Sequence, residues 1–196
     1  MPKIFGKKFH HYEVIDSTNA EALRRAKEGG EEGEVFIADR QTAGRGRMGR
    51  SWESPAGKNI YISFLLKPKL APPKAPLLTL VAGEAVFETL FPLLPPPLKS
   101  RFRIKRPNDL YLKDKKVAGI LTEAGSSRGE IDWVVVGIGI NVNADPDDFS
   151  PEIQETATSL KIATGKEIDR EPIISALVEA FEKRYFRFCE DYAPCH

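Results

Sequence analysis

The chain has 196 residues, 41% of them hydrophobic and 29% charged, and its 29 Lys+Arg against 28 Asp+Glu leave a net charge of +1. That length suits one globular domain with a substantial core. The near-zero charge excludes a bulk attraction to nucleic acid or membranes, so any anion site must be local.

Residues 9–15, Phe-His-His-Tyr-Glu-Val-Ile, form a predicted first strand. His10 and His11 have no metal-ligand spacing to a further histidine and are expected at the surface. Asp16-Ser-Thr-Asn19 then opens a helix. Thr18 and Glu21 stand at capping-box spacing, and Gly29-Gly30 is a good stop. Ser17, Thr18 and Asn19 therefore gather at a helix N-terminus, where N–H groups are exposed. Capping accounts for them, and ligand contact is compatible with it.

Residues 35–38 are a strand that delivers the chain into Arg40-Gln-Thr-Ala-Gly-Arg-Gly-Arg-Met-Gly-Arg-Ser-Trp52. Gly44, Gly46 and Gly49 alternate with Arg45, Arg47 and Arg50. Glycines let a backbone approach a ligand closely, and arginines bring forked, permanently charged donors. Together they suggest a mobile loop that closes over a phosphate, and no acidic residue inside it cancels the charge. The spacing imitates a dinucleotide fingerprint and a P-loop. Both need a following helix, and here Pro55, Gly57 and another strand follow.

Residues 59–66 read as a buried strand, and residues 77–91 as a helix apolar on more than one face. Pro92 and the three prolines 95–97 end it. Residues 101–105 alternate with period two as a half-buried strand does and lead into the turn Arg106-Pro-Asn-Asp109. Residues 110–112, a polar turn over 113–116 and residues 117–123 make a hairpin. Residues 131–136 continue as a strand into Gly137-Ile-Gly-Ile-Asn141, where the glycines imply either a bulge or the close approach of another group. Asp145–Asp148 is loop, and Asp169 caps a last helix reaching about Cys189. Cys189 and Cys195 are too few for a disulfide framework and are expected as reduced thiols. No apolar run approaches the ~20 residues of a membrane span. The N-terminus carries no secretory segment, which suits a cytoplasmic protein.

No nucleophile is set up by any motif. What recurs is cations beside glycine and Asn/Asp-rich turns: Arg45 and Arg47, Lys105 with Asn108 and Asp109, Lys116 with Gly119. That inventory suits chemistry in which the substrate supplies the nucleophile and the protein neutralises phosphate charge. Asp109 is the best-placed carboxylate for Mg²⁺.

Gly44-Arg-Gly-Arg-Met-Gly-Arg-x-Trp52, Lys105-x-Pro-Asn-Asp109, Lys116-x-Ala-Gly119-Ile-Leu and Gly137-Ile-Gly-Ile-Asn-Val-Asn143 occur in this order, with Asp16-Ser-Thr-Asn19 upstream. This pattern closely resembles the catalytic domain of biotin protein ligases. The resemblance implies an α+β fold, a mixed sheet flanked by helices as in class II synthetases. It implies a catalytic domain over residues 1–190, with residues 191–196 a tail where many members begin a small β-barrel. It implies two half-reactions: biotin and Mg-ATP give biotinyl-5′-AMP, and a lysine of a biotin carboxyl carrier domain then takes the biotin. Ser17, Thr18, Asn19, Gln41, Gly44, Arg45, Gly46, Arg47, Lys116 and Gly119 would line the biotin site. Arg47, Trp52, Lys105, Asn108, Asp109 and Asn141 would serve ATP, Asp109 the metal, and Lys116 and Arg47 the chemistry. A homodimer is compatible with the resemblance.

The chain departs from the family pattern at Arg106, where Lys-Trp-Pro-Asn-Asp is usual. No winged-helix segment precedes residue 9, so the DNA-binding role of some members is not expected, and the β-barrel is either absent or cut off by truncation. Two other readings compete: a lipoyl ligase of the same fold, and a nucleic-acid-binding module using Arg45, Arg47, Arg50, Arg101, Arg103 and Arg106, which the net charge disfavours.

Overall fold

A computed structural model describes residues 4–192 and shows a seven-stranded mixed sheet flanked by helices. In chain order the elements are β1 (Phe9–Ile15), α1 (Thr18–Lys27), β2 (Val35–Gln41), β3 (Ile60–Leu66), α2 (Leu77–Leu90), α3 (Pro96–Lys99), β4 (Phe102–Lys105), β5 (Asp109–Leu112), β6 (Lys115–Ser127), β7 (Glu130–Ile140), α4 (Pro151–Gln154), α5 (Leu160–Thr164) and α6 (Arg170–Tyr192). The strand order is β1-β2-β3-β7-β6-β5-β4. The β1–β2 pair is parallel and the remaining pairs are antiparallel. A parallel pair needs a crossover between its strands, and α1 provides it.

Strand residues alternate between the two sides of a sheet, and this alternation separates core from site. On one side Ile60, Ile62 and Phe64 of β3 and Val134, Val136, Ile138 and Ile140 of β7 are buried with α2 and α6. Leu78, Ala82 and Val86 of α2 and Leu177, Phe181 and Tyr185 of α6 complete that core. On the other side Phe36, Leu65 and Val135 pack under Ala22 and Ala26 of α1. Beyond the N-terminus of α1 this second side carries Tyr61, Ser63, Gly119, Gly137 and Gly139. Small and polar residues at these positions leave space over the sheet.

Several sequence expectations need correction. The N-cap of α1 is Ser17, whose Oγ accepts the Ala20 N–H at 3.4 Å, not Thr18. Glu21 accepts from Arg24 and Tyr12 instead of closing a capping box. The β5–β6 turn is only Lys113 and Asp114, at φ 51° and 64°. Leu112 pairs directly with Lys115, so Lys116 is a strand residue. The glycines of β7 mark no bulge, for its ladder with β3 is unbroken from Ile60↔Ile140 to Leu66↔Val134.

Pro72–Leu93, 22 residues, is apolar and long enough by composition to cross a membrane, against the expectation of no such run. Its α-helical part is the 14 residues of α2, and Leu78, Ala82, Ala85, Val86 and Leu90 are buried there, as in a core helix. The last helix is capped as expected, Asp169 accepting the Glu171 N–H at 3.1 Å, but it runs on through Asp191 to Tyr192. Cys189 on that helix is disulfide-bonded, which overturns the reduced thiol expected there. Cys195 and the rest of the expected tail lie outside the described residues. Residues 142–168, patternless in sequence apart from one loop, supply α4 and α5.

Candidate active site

The floor of the site is a closed hydrogen-bond network at the start of α1. Thr18 and Asn19 are 4% exposed, and Ser63 beneath them is fully buried. The Asn19 amide is oriented by partners that can only accept: its Nδ2 donates to the Leu121 carbonyl at 3.3 Å and to Glu123 Oε2 at 3.0 Å. Its Oδ1 must therefore take the single proton of Ser63, 2.7 Å away. Thr18 Oγ1, 2.8 Å from Ser63 Oγ and 3.2 Å from Gln41 Oε1, is left to donate to one of those two. Gln41 also accepts the Thr18 N–H at 2.9 Å, and its Nε2 donates to Ser54 Oγ. Ser54 in turn donates to the Trp52 carbonyl at 3.0 Å. Tyr61 borders the floor. Burial pushes its hydroxyl above the usual phenol range, and it stays a donor to the Pro55 carbonyl.

The glycines of the sheet are explained by what lies on them. A Cβ at Gly137 would fall 1.8 Å from Asn19 Oδ1, and one at Gly139 would fall 2.5 Å from the Trp52 ring. Gly119, the cross-strand partner of Gly139, would meet Trp52 at 2.8 Å and Lys116 at 3.0 Å. Close approach is thus the correct alternative to a bulge. The Trp52 Nε1–H is buried there without an acceptor.

The roof is the arginine loop. Arg45 and Ser51 form a β-bridge, Gly46 N–H donates to the Arg50 carbonyl, and Arg47–Gly49 makes a 3₁₀ turn. Two of the loop's glycines have different reasons: Gly49 sits at φ 73°, while a Cβ on Gly44 would meet the Trp52 carbonyl at 2.3 Å. Arg45 is neutralised from outside the loop by Glu123, 3.0 Å away. Arg47 has a neutral partner, donating to Asn108 Oδ1 at 2.9 Å. Asn108 is itself held on β6, its Nδ2 donating to the Ile120 carbonyl and its own carbonyl accepting the Ile120 N–H.

Lys116 stands where floor and roof meet. Its Nζ lies 2.6 Å from Asp109 Oδ1 and 5.2 Å from the centre of the Trp52 ring. That oxygen of Asp109 is buried and has no hydrogen bond of good angle, so the ammonium is its electrostatic partner.

Two cavities meet at this point. Ser17, Thr18, Asn19, Gln41, Arg45, Gly46, Arg47, Trp52, Asn108, Lys116 and Gly119 line one of ≈ 40 Å³ over the floor, room for a few waters. Arg47, Trp52, Asn108, Asp109, Lys116 and Asn141 line a second of ≈ 330 Å³, closed by Phe149, Ile153 and Ala157 from the segment around α4. Gly46, Arg47, Trp52, Asn108 and Lys116 line both, so the two cavities adjoin at these residues. Asn141 is fixed there by donating to the Thr158 carbonyl. Most sequence-predicted residues therefore converge. Lys105 does not: its ammonium lies over the Tyr111 ring, 4.7 Å from the centre, outside both cavities. Gly44 faces the opposite side of the loop.

Sequence reasoning missed Ser63, Ser54 and Glu123. Ser63 left a signal, a small hydroxyl side chain in a strand buried along its whole length, which requires a partner. Glu123 left none, because a carboxylate near a strand end reads as solvent-facing.

The pattern of the Biotin/lipoate A/B protein ligase family matches residues 11–141. The bifunctional ligase/repressor BirA of Bacillus subtilis is 39% identical over 93% of this chain and 55% of its own. A biotin–[acetyl-CoA-carboxylase] ligase of Paracoccus denitrificans is 39% identical over 86% of this chain and 69% of its own. A solved biotin protein ligase from Aquifex aeolicus, in complex with biotin and ATP, superposes with a TM-score of 0.75 at 34% identity, covering 95% of this chain and 73% of that one. The chain spans about half the length of the Bacillus relative it matches. Pattern, identity and superposed sheet agree, and the chain belongs to the biotin/lipoate A/B protein ligase family.

Proposed function

We propose that this chain is the catalytic domain of an ATP-dependent biotin protein ligase. The observation that carries the reading is the pair of cavities that adjoin at Arg47, Trp52 and Lys116, one floored by short polar groups and the other beside Asn108, Asp109 and Asn141. Biotin is an apolar body with a hydrogen-bonding ureido end and a carboxylate. A polar floor and a cationic mouth match that polarity. With the ureido end on Ser17, Thr18 and Gln41, the carboxylate would point toward Lys116 and Arg47. The adenosine would lie across Trp52 in the larger cavity.

In the first half-reaction a carboxylate oxygen bonds to the α-phosphorus of ATP as the α–β P–O bond breaks, and pyrophosphate leaves. Both partners are anions, so cations that cancel their repulsion are the effective catalysts. Lys116 is suited to this because its present partner, Asp109, can be exchanged for substrate oxygens. Asp109, so released, has a buried oxygen that fits a hard cation taking few protein ligands. Mg²⁺ bound there would neutralise phosphate charge. In the second half-reaction a lysine amine of a biotin carboxyl carrier domain attacks the acyl carbon, AMP leaves and the amine loses a proton. The cavity over the floor is too small for biotin as it stands, so the loop, Trp52 or Lys116 must move to admit it.

ATP–pyrophosphate exchange with biotin, with lipoate and with no acid tests the reading. Biotin-dependent exchange is expected. Exchange with lipoate alone indicates a lipoyl ligase, and no acid-dependent exchange removes the enzymatic reading.

A further inference from the structure

The roof and the floor are joined through one side chain that belongs to neither. Glu123 projects from β6 with its two oxygens committed in opposite directions: Oε2 accepts from Asn19 Nδ2 at 3.0 Å, and Oε1 faces Arg45 at 3.0 Å. Its side chain is 23% exposed and that of Arg45 47%, so an isolated pair of this kind would be loosely held. It is not isolated. Asn19 cannot rotate away, since Ser63 holds its Oδ1, the Leu121 carbonyl holds its Nδ2, and Gly137 lies directly against it. The carboxylate is thus anchored on one oxygen to a buried, fully bonded amide and offers the other at a fixed place to the loop.

We infer that Glu123 is a positioning residue that latches the arginine loop to the floor through Arg45, leaving Arg47 as the arginine free to meet an anion. The inference rests on the biotin ligase reading for its effect on substrate. Two consequences distinguish this from simple charge balance. Loss of the latch loosens the loop in the empty protein, before any ligand binds. It also raises the apparent KM for the acid more than it lowers kcat, because Lys116 and Arg47, which face the reacting charges, are untouched.

The test uses Glu123→Gln, a near-isosteric change that keeps one acceptor for Asn19, and Arg45→Gln, which breaks the same pair from the exposed side. Hydrogen exchange of the loop amides of Gly46 and Trp52 in the ligand-free protein should quicken roughly tenfold in either variant, the scale of one hydrogen bond to a charged group. In pyrophosphate exchange the KM of Glu123→Gln for biotin should rise by about the same factor, with kcat within roughly twofold of the unmodified chain, while Arg45→Gln is read by loop exchange alone. The double variant should be no worse than either single one, since both remove one interaction. Unchanged loop exchange in both variants, or penalties that multiply in the double variant, would overturn the latch. If the unmodified chain shows no biotin-dependent exchange, the functional reading fails, while the loop amides still decide the latch.

Discussion

The floor and the roof of the site hold their polar groups in opposite ways. On the floor, Asn19 and Gln41 are oriented by neighbours that can only donate or only accept, and Thr18, Asn19 and Ser63 are buried. In the roof, Arg47 is exposed and its partner is one neutral amide oxygen. A rigid floor can discriminate shape, because an unpaired buried group costs about 1–3 kcal/mol. A weakly held roof can exchange its protein partner for a ligand's anion at little cost. Under the proposed function, selection of the acid and retention of the activated product should therefore be separable properties of different residues.

The largest expected effect is at the junction. Lys116→Ala should lower adenylate formation by ~10²-fold or more, the scale of losing one transition-state charge donor. Near-normal pyrophosphate release from that variant would take Lys116 out of the chemistry.

The contrast itself is sharpened by two alanines. Gly137→Ala places a Cβ 1.8 Å from Asn19 Oδ1, so Asn19 must be displaced. We expect about 1–3 kcal/mol of destabilisation and at least ~tenfold weaker biotin binding by calorimetry. Gly49→Ala meets nothing within 4 Å and carries only the strain of φ +73°. That is about 1–2 kcal/mol, with biotin affinity nearly unchanged. Equal losses of affinity in the two variants would dissolve the distinction.

Arg47→Gly should spare adenylate formation more than it spares adenylate retention. Biotinyl-AMP is a reactive anhydride that must be shielded from water and stray amines. The variant should release it about tenfold faster or more, the loss of a charge-assisted contact, and should label an unrelated protein such as albumin. Normal release with no stray labelling would assign retention to other residues. The smallest effect is expected at Arg106, which is exposed on the β4–β5 connection. Arg106→Trp should change ATP affinity by less than ~tenfold, and a larger change in either direction would bring that position into the site.

The fold was legible where period and punctuation agree: β1, β3, α2 and the last helix stand close to their expected bounds. Local chemistry misled where a tertiary partner outbid it. Thr18 has capping-box spacing, yet Gln41, brought alongside by the parallel β1–β2 pair, captures its N–H, and Ser17 caps instead. The site residues carried by the arginine loop and by the Asn108-Asp109, Lys116 and Gly119 stretches converge because charge beside glycine is conspicuous in sequence. Lys105 shared that signature, but on β4 it points along the sheet to Tyr111. Of the joining residues, Ser63 left only the need for a partner and Ser54 and Glu123 left nothing, because their roles exist only between elements.

The strand order has a kinetic consequence. β4, β5, β6 and β7 pair with their sequence neighbours, and β1 through β3 form a second local unit. The ladder from Ile60↔Ile140 to Leu66↔Val134 is the one that joins them, across a long stretch of chain. Closing so long a loop costs entropy before any contact repays it. Ser63 and Gly137 are partners in that ladder, and Asn19 is wedged upon them. Binding competence is therefore acquired at the last step of assembly. A ligand held by the floor should slow unfolding while leaving the refolding rate almost untouched.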